Sequence, residues 1–162
     1  MNDSPSSPFA YRWTVLLGIV AGMRTTLPWA MLAWSAQDGR EGALPGFLTL
    51  GLGRGLLTAA AIGEMIGDKL PFVPSRLSPA PLVGRVVSGA LGGAAIGRQA
   101  RLSPVAGAVS GAVGAAGGAL AGYGGRTFLA CWLKAPLWLS GVAEDALAVW
   151  LGRAAAGGRR QG

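Results

Sequence analysis

Five apolar stretches, each of roughly 20 residues and so long enough to cross a bilayer, follow one another along a chain of 162 residues. That arithmetic leaves almost no sequence for a soluble domain. Hydrophobic residues make up 51% of the chain and charged residues 13%, against a charged share of about 25% in soluble domains. The mean hydropathy is +0.45, and the 28 glycines fall mainly inside the apolar runs rather than between them. The pattern predicts an all-α integral membrane helical bundle of four to five segments. A polar N-terminal tail (1–10) precedes a single transmembrane domain (11–152), and a disordered basic tail (153–162) follows it.

The net charge of +7 would suggest nucleic acid in a soluble protein. Here the basic residues are spread one or two per loop, with no aromatic interleaving on a polar surface. Loop charges that hold topology are the expectation, with no nucleic-acid partner. Cys131 is alone and histidine is absent, which excludes an intrachain disulfide, a thiolate metal cluster, imidazole-bound haem and Ser–His catalysis. Any bound metal would need hard oxygen ligands; neither metal nor cofactor is expected. Met1 to Pro8 lacks the basic start of a signal peptide, and Ala33-Trp34-Ser35 is a poor cleavage site. Trp13 to Trp34 is long enough to span, so it reads as an uncleaved anchor.

The charges inside the apolar runs carry the chemistry. The first segment, about Tyr11 to Ala36, contains Gly22-Met23-Arg24-Thr25-Thr26-Leu27-Pro28. Arg24 lies about 20 Å along a helix from Tyr11 at roughly 1.5 Å per residue, too deep to reach water easily. Pro28 removes a backbone donor, so Gly22 and Pro28 bracket a kink or break, with threonine hydroxyls at hand for the loosened backbone. In the second segment, about Phe47 to Leu70, Arg54 is the sole charge before Glu64. A charge at the middle of a span costs about 2.5–3.5 kcal/mol on insertion scales. Glu64 and Asp68, four residues apart, share one helix face, and Lys69 and Pro71 follow. A second acidic pair, Glu144-Asp145, lies in the last segment, Phe128 to Leu151.

Arg76-Leu77-Ser78-Pro79 recurs as Arg101-Leu102-Ser103-Pro104, and each copy opens a glycine–alanine helix. The first helix carries Gly89, Gly93 and Gly97; the second carries Gly114, Gly118 and Gly122 after Gly107 and Gly111. Glycines four apart let helices meet backbone to backbone, so these zipper-like helices should pack together as the dense centre. Gly124-Gly125-Arg126-Thr127 is expected to break the chain before the last segment. With five simple crossings the basic residues divide evenly between the two sides. If the last segment turns back near Lys134-Ala135-Pro136 they gather on one side, which favours four crossings, a re-entrant last segment and two cytoplasmic termini.

The Gly22–Pro28 stretch, Glu64-x-x-x-Asp68-Lys69-x-Pro71, the glycine-rich middle and Glu144-Asp145 together resemble the bacterial membrane family catalogued as domain of unknown function 4126 (DUF4126). The resemblance spans roughly Leu17 to Leu151. It implies a bacterial inner-membrane address and no established activity. In that family an Asn-Pro pair tends to precede the late acidic pair, whereas Lys134-Ala135-Pro136 stands here.

Three functions fit these residues. In a small transporter or permeation unit, Arg24, Glu64, Asp68, Glu144 and Asp145 would form one site for a cation, a proton or a small anion. Broken helices, an internal duplication and charges at membrane depth are ingredients of such sites. In a structural or assembly protein the same charges would only fix helix packing. A lipid-directed enzyme fits least, because the sequence holds no nucleophile–base pair and no phosphate loop. Beyond the lipid bilayer, the expected partner is a second copy of the chain, because few large side chains seal the glycine-rich surface.

Overall fold

The computed structural model describes residues 8–35, 44–67, 79–100, 102–132 and 137–158. These fold into α1 (Pro8–Met23), α2 (Leu27–Ser35), α3 (Gly46–Thr49), α4 (Gly51–Gly67), α5 (Pro79–Gln99), α6 (Pro104–Cys131) and α7 (Leu137–Gly158). No strand occurs among the described residues. The two duplicated prolines, Pro79 and Pro104, are each the first residue of their helix, where the missing N–H would have no intrahelical acceptor in any case. Two helical stretches, Pro79–Gln99 and Pro104–Leu129, are long and apolar enough to cross a membrane, and Tyr11–Met23 is a shorter apolar helix.

α1, α5 and α6 form the tightest packing in the molecule. α5 and α6 run antiparallel: a methyl on Gly89 would stand 2.7 Å from the Gly111 carbonyl oxygen, and one on Gly107 would stand 2.5 Å from that of Gly93. A methyl on Gly97 would lie 3.2 Å from the Gly107 Cα. Gly114 and Gly118 do not face α5. A Cβ on either would overlap the α1 backbone at Val15 and Ile19, and Gly18 and Gly22 of α1 meet Gly111 and Ala115 in return. α6 therefore has two small-residue faces, one for each neighbour, and α1 belongs to the dense centre rather than leaning on it. Gly122 is buried.

α1 does not continue into α2 as a kinked crossing. Leu17 of α1 shares one buried cluster with Leu32 and Ala33 of α2 and Ile96 of α5. On a continuous helix Leu17 and Leu32 would be roughly 22 Å apart at about 1.5 Å per residue. The chain reverses at Arg24–Thr26 instead, and α2 returns along α1. Both helices also contribute to a second cluster, where Val20, Met23, Leu27 and Ala30 join Ala61 of α4 and Ala148 of α7. The expectation of one spanning anchor from Trp13 to Trp34 is corrected accordingly, and the break expected between Gly22 and Pro28 is a reversal.

Two further boundaries differ from expectation. Gly124 and Gly125 do not break the chain: α6 runs through them to Cys131, and α7 starts at Leu137. Glycine lowers helix propensity by about 1 kcal/mol but keeps its N–H, so it weakens a ladder without interrupting it. The second segment is interrupted near its start, because Leu50 is extended (φ −69°, ψ 159°) between α3 and α4. Gly53 permits this fold-back, since its α-carbon lies against the Phe47 and Leu48 backbone.

Candidate functional site

The reversal at Arg24–Thr26 leaves backbone donors at the head of α2, and the surrounding helices supply acceptors. α1 still holds Arg24, whose N–H donates to the Val20 carbonyl at 2.7 Å. The α2 ladder begins where Ala30 donates to the Thr26 carbonyl at 3.2 Å. Between them, Thr25 and Thr26 donate their N–H groups to the two carboxylate oxygens of Glu64 at 2.7 and 2.8 Å. The Thr26 hydroxyl adds a third bond, to Glu64 Oε2, at 2.7 Å. Glu64, near the C-terminal end of α4, thus supplies the negative charge that a helix N-terminus favours.

Arg24 is 0% exposed. Its Nε donates to Asp145 Oδ1 of α7 at 2.7 Å, and its Nη2 donates to the same oxygen. Arg24 and Glu64 adjoin the same turn, the arginine matched by Asp145 and the glutamate by the α2 head. α5 fixes the other side of the turn. The buried Ser88 hydroxyl donates to the Thr25 carbonyl at 2.8 Å and accepts from Trp29 Nε1 at 2.7 Å. Next to Asp145, Glu144 accepts from Arg126 Nε of α6 at 2.7 Å, with the Glu144 side chain buried and that of Arg126 partly exposed.

Of the residues singled out in the sequence, the structure brings Arg24, Glu64, Glu144 and Asp145 to one end of the bundle. Asp68, Lys69, Pro71 and Lys134 lie outside the described residues. Gly22 and Pro28 frame the turn, both buried: Gly22 closes the approach to α6, and Pro28 occupies the first turn of α2. The sequence reading missed Arg126 as the partner of Glu144, because Arg126 was assigned to a chain break. It also missed Ser88 and Arg85, three residues apart on α5 and both buried. Their i, i+3 spacing among glycines was the available signal.

Chemically, the centre places carboxylates among backbone N–H, hydroxyl and guanidinium donors in a mostly buried setting. Among the described residues no cluster of three or more His, Cys, Asp or Glu could hold a metal ion. No protein-family model matches the chain, and neither the curated proteins nor the solved structures contain a match to it.

Proposed function

We propose that the chain is a multi-pass protein of the bacterial inner membrane and that its polar centre passes or binds a small anion, with a proton as the coupled species. The membrane part is supported by an inverted packing pattern. Glycine, alanine, Thr14, Ser88, Arg24, Arg85 and Glu144 share the interior with Leu17, Val20, Met23, Leu27, Leu32 and Ile96, while Leu52, Leu56, Ile62 and Ile66 of α4 and Val83, Val87 and Leu91 of α5 point outward. Lipid suits such a surface, and interior arginine–carboxylate pairs suit a low-dielectric bundle. Each termination of α1, α5 and α7 that faces the chain-terminal side carries a basic residue (Arg12, Arg98, Arg153), so the cytoplasm is the side assigned to both termini. Kinship with the DUF4126 family is part of the same reading.

The observation that carries the transport reading is the seat of Glu64. A carboxylate held by two backbone N–H groups and one hydroxyl at the head of a re-entrant helix occupies a place suited to a small anion. Among the described residues α4, which carries Glu64, makes its extensive contacts with α2 and α3. It is the helix most free to withdraw that carboxylate. Once Glu64 takes a proton and leaves, the same donors face an incoming anion beside Arg24.

The test is flux into liposomes across a panel of small anions, with pH reported inside the vesicle. The reading expects anion-dependent proton movement in the parent and uncoupled anion movement in Glu64→Gln. No flux above empty liposomes for any anion would refute it. A packing role is the second reading, favoured by the Arg24–Asp145 and Arg126–Glu144 pairs; loss of assembly without any flux would select it.

The proposed oligomer uses α4. Gly51, Gly55 and Gly63 have open space where a Cβ would stand, and with Ala59 they form an exposed small-residue stripe. Gly18 and Gly22 of α1, Gly93 and Gly97 of α5, and Gly107, Gly111, Gly114 and Gly118 of α6 already have backbone partners.

A further inference from the structure

Arg54 is a half-buried charge at the end of the bundle opposite the polar centre. It sits in the first turn of α4, at the opposite end of that helix from Glu64. Its guanidinium carbon lies 5.3 Å from the centre of the Trp34 ring, within cation–π range. The ring is itself fixed: Trp34 Nε1 donates to the Thr58 hydroxyl at 3.0 Å, and that hydroxyl donates to the Arg54 carbonyl at 2.8 Å. Trp34, Thr58 and Arg54 therefore form a closed loop that orients the guanidinium.

Arg54 Nε and Nη1 are shielded from water, and among the described residues no oxygen accepts from either. Arg24 and Arg126 differ, because each meets a carboxylate. The carboxylates of α4 and α7 all lie at the far end of the bundle, out of reach of Arg54. Trp34 and Leu50 beside it are more than half exposed. An aromatic ring at the rim with an oriented arginine against it suits the headgroup level of a bilayer.

We propose that Arg54, oriented by Trp34, holds the phosphate of an anionic phospholipid on the chain-terminal side of the bundle. This rests on the membrane reading above but not on transport. A planar fork of N–H donors recognises a phosphate oxyanion better than a point charge does, and the lipid supplies in trans the counter-charge that α4 lacks at this end. The acyl chains would lie along the exposed leucines of α4.

The test is native mass spectrometry of the detergent-purified protein titrated separately with phosphatidylglycerol, phosphatidylcholine and inorganic phosphate. Phosphatidylglycerol should be retained in preference to phosphatidylcholine, and Arg54→Gln should weaken it roughly tenfold, about 1.4 kcal/mol. Arg54→Lys and Trp34→Leu should each weaken it less, and Arg153→Gln, an exposed arginine at the same end, should leave it unchanged. Retention in Arg54→Gln equal to the parent would overturn the proposal. Inorganic phosphate binding as tightly as phosphatidylglycerol would overturn the lipid assignment and leave a free oxyanion as the ligand. Carbonate extraction of the parent separates the two levels: a chain that leaves the membrane removes the membrane reading itself, while a chain that stays but shows no Arg54-dependent lipid removes only this site.

Discussion

Replacing either partner of the Arg24–Asp145 pair should destabilise the fold, and replacing both should cost less than the two changes summed. Removing one member of a buried ion pair costs about 3–5 kcal/mol, because the other charge is left unmatched. The structure makes the two deletions unequal. The Arg24 side chain is 0% exposed and the Asp145 side chain 14%. Asp145→Ala removes the oxygen to which Nε and Nη2 of a fully enclosed guanidinium donate and should reach the upper end, about 5 kcal/mol. Arg24→Met removes two donors from a carboxylate that solvent can still touch, and should fall near the lower end, about 3 kcal/mol. The double variant removes both desolvated charges and should recover about 2 kcal/mol of the sum as coupling. Reversible unfolding in mixed micelles, followed by far-UV circular dichroism, measures all three. Additivity within about 0.5 kcal/mol, or Arg24→Met costing more than Asp145→Ala, would refute the pairing argument.

Other outcomes follow from the same geometry. Gly93→Leu and Gly118→Leu should each abolish a folded bundle, read as loss of a monodisperse species on size exclusion, because even a methyl there overlaps the α6 or α1 partner backbone. Gly55→Leu on the open face of α4 should keep the fold and shift the assembly to monomer by mass measurement in mild detergent; an unchanged oligomer would remove that interface. Ser88→Ala should cost about 1–3 kcal/mol, since it leaves the Trp29 N–H and the Thr25 carbonyl without partners. A Ser88→Thr variant that keeps the hydroxyl should recover part of the loss.

Local chemistry made much of this legible in the sequence. Four-residue glycine spacing places bare backbone along one helix face, which permits close helix approach. It did not say which neighbour each face would meet, and Gly114 and Gly118 turned to α1 rather than α5. Gly22 and Pro28 marked a rupture, yet the same breakers produce either a kink or a reversal. Burial of Leu17 with Leu32 selects the reversal, a tertiary fact that no local pattern contains. The interior charges were readable as needing partners, because hydrocarbon penalises each of them. The pairing was not: Glu64 meets the α2 head that the reversal creates, and Arg126 reaches Glu144 only because α6 runs on past Gly125.

The reversal at Arg24–Thr26 is the claim on which the site depends, and labelling from each side of the membrane tests it most directly. Single cysteines at Arg12 and at Gly46, where a side chain meets open space, would be placed in a Cys131→Ser background and exposed to a membrane-impermeant maleimide in sealed vesicles. The native Cys131, exposed at the end of α6, reports the opposite face. The reversal predicts that Arg12→Cys and Gly46→Cys label from the same side and Cys131 from the other. Labelling of Arg12→Cys and Gly46→Cys from opposite sides would mean that the first segment crosses straight through, and the polar centre at its turn would not exist.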